Sequence, residues 1–268
     1  MNLIYKNKLL YMARNKSNKR QEIQKTLNEF EDIKADEMRD LMDLNFKIKC
    51  KFKSKKQKEL DNIIKKNRIT IVTGSPGTGK SFIALKAALE MLKDENYNIG
   101  DILLSTPIVE VSRDTLGSLP GDLSDKTHNY FQHFYDNIDK IVGDKITKFL
   151  RNSNLITNKV VNFIRGATFG KIDENGNPIG TVCIFDECQN FYPSEVKAII
   201  SRLGEESKII LLGDLEQCDL KLKNGEKNGL QDIFERLDGL DGVGYFKFED
   251  EDIVRDPFLI EIMKRYRN

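Results

Sequence analysis

The chain has 268 residues, 39% hydrophobic, 32% charged and 9% aromatic, a composition that supports a large core and excludes wholesale disorder and collagen-like structure. No apolar run approaches the roughly 18 residues of a membrane span, and the first residues lack the apolar stretch of a secretory signal, so the expected setting is the cytoplasm, away from any membrane. The net charge of +1 conceals an asymmetry: residues 1–68 carry 19 Lys+Arg against 10 Asp+Glu, and residues 69–268 carry 24 against 32.

A basic arm thus precedes an acidic domain, suited to a phosphate backbone or to the acidic face of a neighbouring subunit. Within it Ile23, Leu27, Phe30, Met38 and Leu41 recur at helical spacing, which predicts an amphipathic helix. Phe46-Lys-Ile-Lys-Cys-Lys-Phe-Lys53 then alternates strictly and reads as a half-buried strand with four lysines on its outer face. Ser54-x-x-Gln57 has capping-box form and opens a helix whose buried stripe is Leu60, Ile63 and Ile64.

From residue 69 short apolar runs alternate with helical stretches: 69–73, 102–105, 160–164, 182–185, 209–212 and 243–248. Buried runs separated by helices predict a mainly parallel sheet covered on both faces, a three-layer α/β fold. Residues 169–172 and 179–182, joined by the turn cluster Asp173–Pro178, read as an inserted hairpin. The four cysteines, Cys50, Cys183, Cys188 and Cys218, show no C-x-x-C spacing and are expected as reduced thiols rather than disulfide partners or zinc ligands.

Gly74-Ser75-Pro76-Gly77-Thr78-Gly79-Lys80-Ser81 fits G-x-x-x-x-G-K-[ST] directly after an apolar strand and at the start of a helix. That context is what a phosphate-binding loop requires: glycines turn backbone N–H groups toward the phosphates, the helix N-terminus adds partial positive charge, Lys80 adds a point charge and Ser81 a magnesium ligand. ATP with Mg2+ is the expected ligand pair. Val182–Phe185 carries Asp186 and Glu187 to a strand end, where Asp186 can hold magnesium through water and Glu187 can polarise an attacking water. Gly213-Asp214-x-x-Gln217 ends another strand, where Asp214 and Gln217 either sense the γ-phosphate or form an Asx-type turn. Gln57, 17 residues before the loop, either completes its capping box or reads the adenine edge.

These residues belong to a wider pattern. Thr106-Pro-Ile-Val-Glu110, Leu116–Leu123 with Lys126 and Tyr130, Arg165–Phe169, Asp186-Glu-Cys-Gln-Asn190, Ser201-Arg-Leu-Gly204, Gly213–Asp219 and Asp252-Ile-Val-Arg-Asp-Pro257 resemble successive motifs of the PhoH-like ATPases. The resemblance covers roughly residues 52–268 and implies a RecA-like core akin to superfamily 1 helicases, with an N-terminal helical extension over 1–45 and the ATPase domain over 46–268. It implies an adenine contact for Gln57, coupling of nucleotide state to nucleic acid through Asp214 and Gln217, and a homo-oligomeric ring, typically hexameric. A neighbouring subunit would then supply an arginine finger, Arg202 or Arg255, while Arg165 reaches phosphate or nucleic acid.

The chain departs from the family pattern where Thr106 replaces an arginine, Cys188 an alanine, Phe191 a threonine and Asp256 a histidine. Its small size suggests a bacteriophage or minimal bacterial member. The expected function is Mg2+-dependent ATP hydrolysis coupled to single-stranded nucleic acid, RNA ahead of DNA, with helicase activity in view. Lys47, Lys49, Lys51 and Lys53 would contact the strand, and Tyr130, Phe131 and Phe134 either stack on bases or belong to the core. Two other readings stay open: a nucleotide-gated ring that binds nucleic acid or protein without unwinding, and a small-molecule phosphotransferase.

Overall fold

Ile69–Thr73 (β1) is buried along its whole length, a pattern that needs neighbours on both edges and cover on both faces. The computed structural model describes residues 44–107, 123–161, 164, 168–254, 258, 261, 262 and 265. The expected helix around Ile23–Leu41, the motif stretch 109–122, Arg165 and Arg255 therefore lie outside the described residues. α1 (Lys55–Lys66) leads into β1, and α2 (Lys80–Lys93), β2 (Ile99–Ser105), α3 (Leu123–Val142), α4 (Asp144–Asn152) and β3 (Ile156–Asn158) follow. Beyond them come β4 (Lys171–Ile172), β5 (Pro178–Phe185), α5 (Pro193–Ile200), β6 (Lys208–Gly213), α6 (Gly229–Arg236) and β7 (Val243–Lys247).

Among the described residues these strands form one sheet in the order β3-β2-β5-β6-β1-β7. Every pair along that path is parallel. β4 pairs antiparallel with the start of β5, as the predicted hairpin requires. Alternate residues serve opposite faces: Val182, Ile184, Ile210 and Leu212 join α1–α4 in one core, while Cys183, Phe185, Ile209 and Leu211 join α5 and α6 in the other. The α/β three-layer expectation is met. Thr73 is level with Gly213 and Phe185 with Leu211, so the turns after β1, β5 and β6 emerge together at the carboxyl edge of the sheet.

Two expected strands are corrected. The Phe46–Lys53 segment does alternate in burial, but it joins no sheet; it is an extended strap packed on the core through Phe46, Ile48 and Phe52, with a backbone bond from Lys49 N–H to Ile141. The strand expected at 160–164 lies at Ile156–Asn158 instead, and the described members of the apolar run, Val160, Val161 and Ile164, are buried by packing rather than by pairing. All four cysteines are free, with Cys183 and Cys188 buried. Among the described residues no group of side chains is arranged to hold a metal through three or more His, Cys, Asp or Glu, and no helix is long and apolar enough to cross a membrane.

Candidate nucleotide-binding site

The turn between β1 and α2 is built for close approach. Gly74, Gly77 and Gly79 have φ of 140°, 86° and 95°, in the region that disfavours side chains. A Cβ on Gly79 would lie 2.7 Å from Gln57 Nε2. Gly79 is also the N-cap of α2 and offers no side-chain cap, so the first helical N–H groups are left for a ligand. Lys80 Nζ folds back over the turn, donating to the carbonyls of Gly74 at 2.6 Å and Ser75 at 3.1 Å.

The segment after β7 braces this turn from outside. Ser75 Oγ donates to Asp250 Oδ1 at 2.5 Å, with both residues buried, and Val254 N–H donates to the Gly77 carbonyl at 3.0 Å. Asp252, quoted above in the Asp252–Pro257 motif, pairs with Lys56 at 2.6 Å. Gln57 reaches the turn from α1. Ser54 Oγ accepts from Gln57 N–H at 3.2 Å, but the Gln57 amide does not return to Ser54; it accepts from Lys53 N–H at 2.8 Å and donates to the Thr78 carbonyl at 3.0 Å. Half of the capping box forms, and the buried side chain belongs to the loop.

Opposite the turn, Ser81 Oγ donates to Asp186 Oδ2 at 2.5 Å. Burial pushes the Asp186 carboxyl up, but the His133 imidazole 3.6 Å away and hydrogen bonds from Ser81 and the Glu187 N–H outweigh it and hold the group below its usual range. Glu187 goes the other way: burial, with the Asp186 charge beside it, raises its pKa. Glu187 also has φ of 55°, a left-handed conformation that non-glycine residues hold only under constraint. Gln189 Nε2 donates to Glu187 Oε2 at 2.6 Å and to the Gln217 carbonyl at 3.1 Å. Asp214 forms the Asx-type turn considered above, accepting from Glu216 N–H at 3.0 Å.

One cavity of about 540 Å³ collects Gln57, Pro76, Gly77, Gly79, Lys80, Ser81, Asp186, Glu187, Asp214 and Gln217. The two segments far apart in sequence, the turn after β1 and the carboxylate pair after β5, thus share one space. The strap contributes Lys49, Lys51 and Lys53 to the same wall, so these lysines of the outer face look onto the cavity. His133, Asn137 and Lys140 of α3 line it too; sequence reasoning passed over them, as over Asp250, and quoted Gln189 in a motif without giving it a role. Phe131 and Phe134 are fully buried and Tyr130 packs against the same core, which removes the first two as stacking platforms. Arg202 lies in the turn after α5, where its carbonyl accepts from Phe169 N–H, and it does not line the cavity of its own chain.

The donors present fit a hard divalent cation, since a hydroxyl and a carboxylate meet at the mouth of an amide-rich turn. A family model described as PhoH-like protein matches residues 49–267. The PhoH-like protein of Bacillus subtilis (strain 168) is 34% identical over 210 residues, covering 78% of this chain and 61% of that protein. Protein PhoH of Escherichia coli (strain K12) is 31% identical over 205 residues, 76% of this chain and 54% of that one. The chain thus spans little more than half the length of these relatives. A crystal structure of Pif1 helicase from Bacteroides in complex with ADP-AlF3 and ssDNA aligns over 82% of this chain and 47% of that one, at 15% identity and a TM-score of 0.40. With most of its length matched by the family model, the chain belongs to the PhoH-like protein family.

Proposed function

We propose that the chain is a Mg2+-dependent ATPase whose hydrolysis is coupled to single-stranded nucleic acid, RNA in preference to DNA. The observation that carries the proposal is the meeting of Ser81 and Asp186 at 2.5 Å in one cavity with Lys80 and Glu187. Backbone N–H groups of residues 77–81 and the Lys80 ammonium bind the triphosphate, with Lys80 exchanging its two loop carbonyls for phosphate oxygens. Ser81 and Asp186 hold the ion. A bound magnesium neutralises charge on the phosphates as it develops.

Glu187 is the base. Its raised pKa brings it nearer to neutral pH than an ordinary glutamate, which suits a group that must take a proton from water. Gln189 fixes that carboxylate from one side, and Asp214 and Gln217 approach from β6. Gln57, held between Lys53 N–H and Thr78, stands ready to exchange one of these bonds for an adenine edge.

Coupling to nucleic acid is supported by charge. Lys49, Lys51 and Lys53 line the cavity from the strap rather than from the phosphate turn, cations of the kind that contact a phosphate backbone. A core of this kind unwinds or translocates only against a partner, so the working form is a homo-oligomeric ring, and Arg202 or Arg255 of one subunit serves the site of the next. Such a finger contributes about 10³- to 10⁵-fold in rate. Steady-state ATP hydrolysis without polymer, with single-stranded RNA and with single-stranded DNA, at two salt concentrations, tests the proposal. Stimulation that weakens with salt is expected; ATP left intact in every condition overturns the enzymatic reading.

A further inference from the structure

His133 Nε2 lies 3.6 Å from Asp186 Oδ2, and the side chain is 44% exposed, toward the cavity. Its position is not accidental to the helix. His133, Asn137 and Lys140 stand at i, i+4 and i+7 on the cavity side of α3, while Phe131, Phe134, Tyr135, Ile138, Ile141 and Val142 bury the opposite side. The neighbouring Phe134 ring, itself fully buried, sits 4.0 Å from the imidazole, centroid to centroid, so the core fixes the helix from which His133 reaches the cavity.

We propose that His133 is a specificity-determining ligand of the divalent cation at this site, adding a nitrogen donor that favours a transition dication such as Mn2+ over Mg2+. The inference rests on the nucleotide reading of the same cavity. Ser81 and Asp186 offer the hard oxygens that Mg2+ takes, and Mg2+ rarely accepts imidazole. Mn2+ takes the same oxygen donors as Mg2+, but Mg2+ dehydrates reluctantly and Mn2+ more readily accepts an imidazole beside them. Two ligands at adjacent positions around an octahedral ion of this size sit about 3 Å apart. His133 and Asp186 at 3.6 Å are within a side-chain rotation of that spacing. The other charged groups on this wall are Lys49, Lys51, Lys53, Lys80, Lys140, Glu187 and Asp214; the lysines are cationic and the carboxylates offer only oxygen, so His133 is the nitrogen donor among them.

The experiment uses the full chain with ADP and Mn2+. Free Mn2+ is counted by its electron paramagnetic resonance signal, and electron spin echo envelope modulation reads nitrogen bonded directly to the bound ion. The expected result is a directly bonded nitrogen that disappears in His133→Ala, together with about tenfold weaker Mn2+ binding and a much smaller loss of Mg2+ binding in competition. His133→Asn, which keeps polarity and removes the imidazole, should behave as the alanine variant does. Bound Mn2+ with no bonded nitrogen, or equal weakening for both ions, overturns the inference and leaves His133 as a neighbour of Asp186 only. A chain that binds no ADP overturns the nucleotide reading beneath it and this inference with it.

Discussion

The side-chain oxygen of Gln189 accepts a hydrogen bond from the backbone N–H of Asp214 at 3.0 Å. The same fully buried amide donates to Glu187 and to the Gln217 carbonyl. One side chain therefore ties the turn after β5 to the turn after β6, and the carboxylate cannot shift without the loop that faces it. Replacing Gln189 by Leu leaves the Asp214 N–H unsatisfied, a cost of about 1–3 kcal/mol, and frees Glu187 to leave its position. We expect kcat for ATP hydrolysis to fall about 10²-fold with ADP affinity little changed, read by turnover alongside equilibrium nucleotide titration. A matched loss of ADP affinity would place Gln189 in nucleotide binding instead.

Roles assigned to Lys80 and Glu187 separate in the same pair of measurements. Lys80→Ala removes the only charged donor of the phosphate turn and is expected to abolish nucleotide binding or turnover. Glu187→Gln keeps the shape and the bond with Gln189 but cannot take a proton, so ATP should bind and remain uncleaved. Wild-type turnover in Glu187→Gln would refute the base assignment.

How much of this was legible in the sequence depends on whether the signal is local. Gly74–Ser81 and Asp186–Glu187 are contiguous text, and strand, turn and helix follow from the residues themselves. The alternation in Phe46–Lys53 correctly announces an extended segment with one buried side. It is silent on where the backbone bonds go, and here a single one reaches Ile141. The run 160–164 carries strand composition, yet β2 takes its partner from Ile156–Asn158, because register is decided by what lies across the sheet. His133 and Asp250 had no local signature of role, and Gln189 stood in a quoted motif that did not say what it would hold. His133 meets Asp186 only after α3 crosses the sheet, and Asp250 meets Ser75 across a separation of 175 residues.

Gly79 carries two separable constraints. Its φ of 95° disfavours any side chain, and a Cβ there would press Gln57 Nε2 at 2.7 Å. Gly225 has φ of 86° and nothing within 4 Å of its added Cβ, so Gly225→Ala reports the backbone term alone. Both variants should lose about 1–2 kcal/mol of stability from the backbone. Only Gly79→Ala should also displace Gln57 and weaken ADP binding. Urea melts and nucleotide titrations on the two variants check this, and equal ADP affinity in both would remove Gln57 from the site.

Beneath the cavity, α1 and α2 are joined by a cluster of charges. Lys86 Nζ pairs with Asp61 at 3.0 Å and with Glu90 at 2.8 Å, Lys65 pairs with Asp61 at 2.7 Å and with Glu90, and the Lys86 ammonium lies 4.5 Å from the centre of the Phe52 ring. Lys86 and Asp61 are buried, so Asp61→Ala, which strips Lys86 of one partner, should cost about 3–5 kcal/mol. The double variant Asp61→Leu with Lys86→Met should cost much less, since it removes both buried charges. The pH dependence follows from the signs. Burial raises the Glu90 carboxyl, but hydrogen bonds from Lys65 and Lys86 outweigh it and hold the group below 4.5. Its contribution is then complete above about pH 4.5 and disappears as pH falls through the lowered folded value. Lys65 mirrors this: burial lowers it, bonds to Asp61 and Glu90 raise it above 10.5, and its contribution is complete below that pH and lost as pH rises through the raised value. Denaturant melts of wild type and Glu90→Gln should therefore differ at neutral pH and converge on the acid side. A constant difference down to pH 3 would show that Glu90 acts through packing rather than charge.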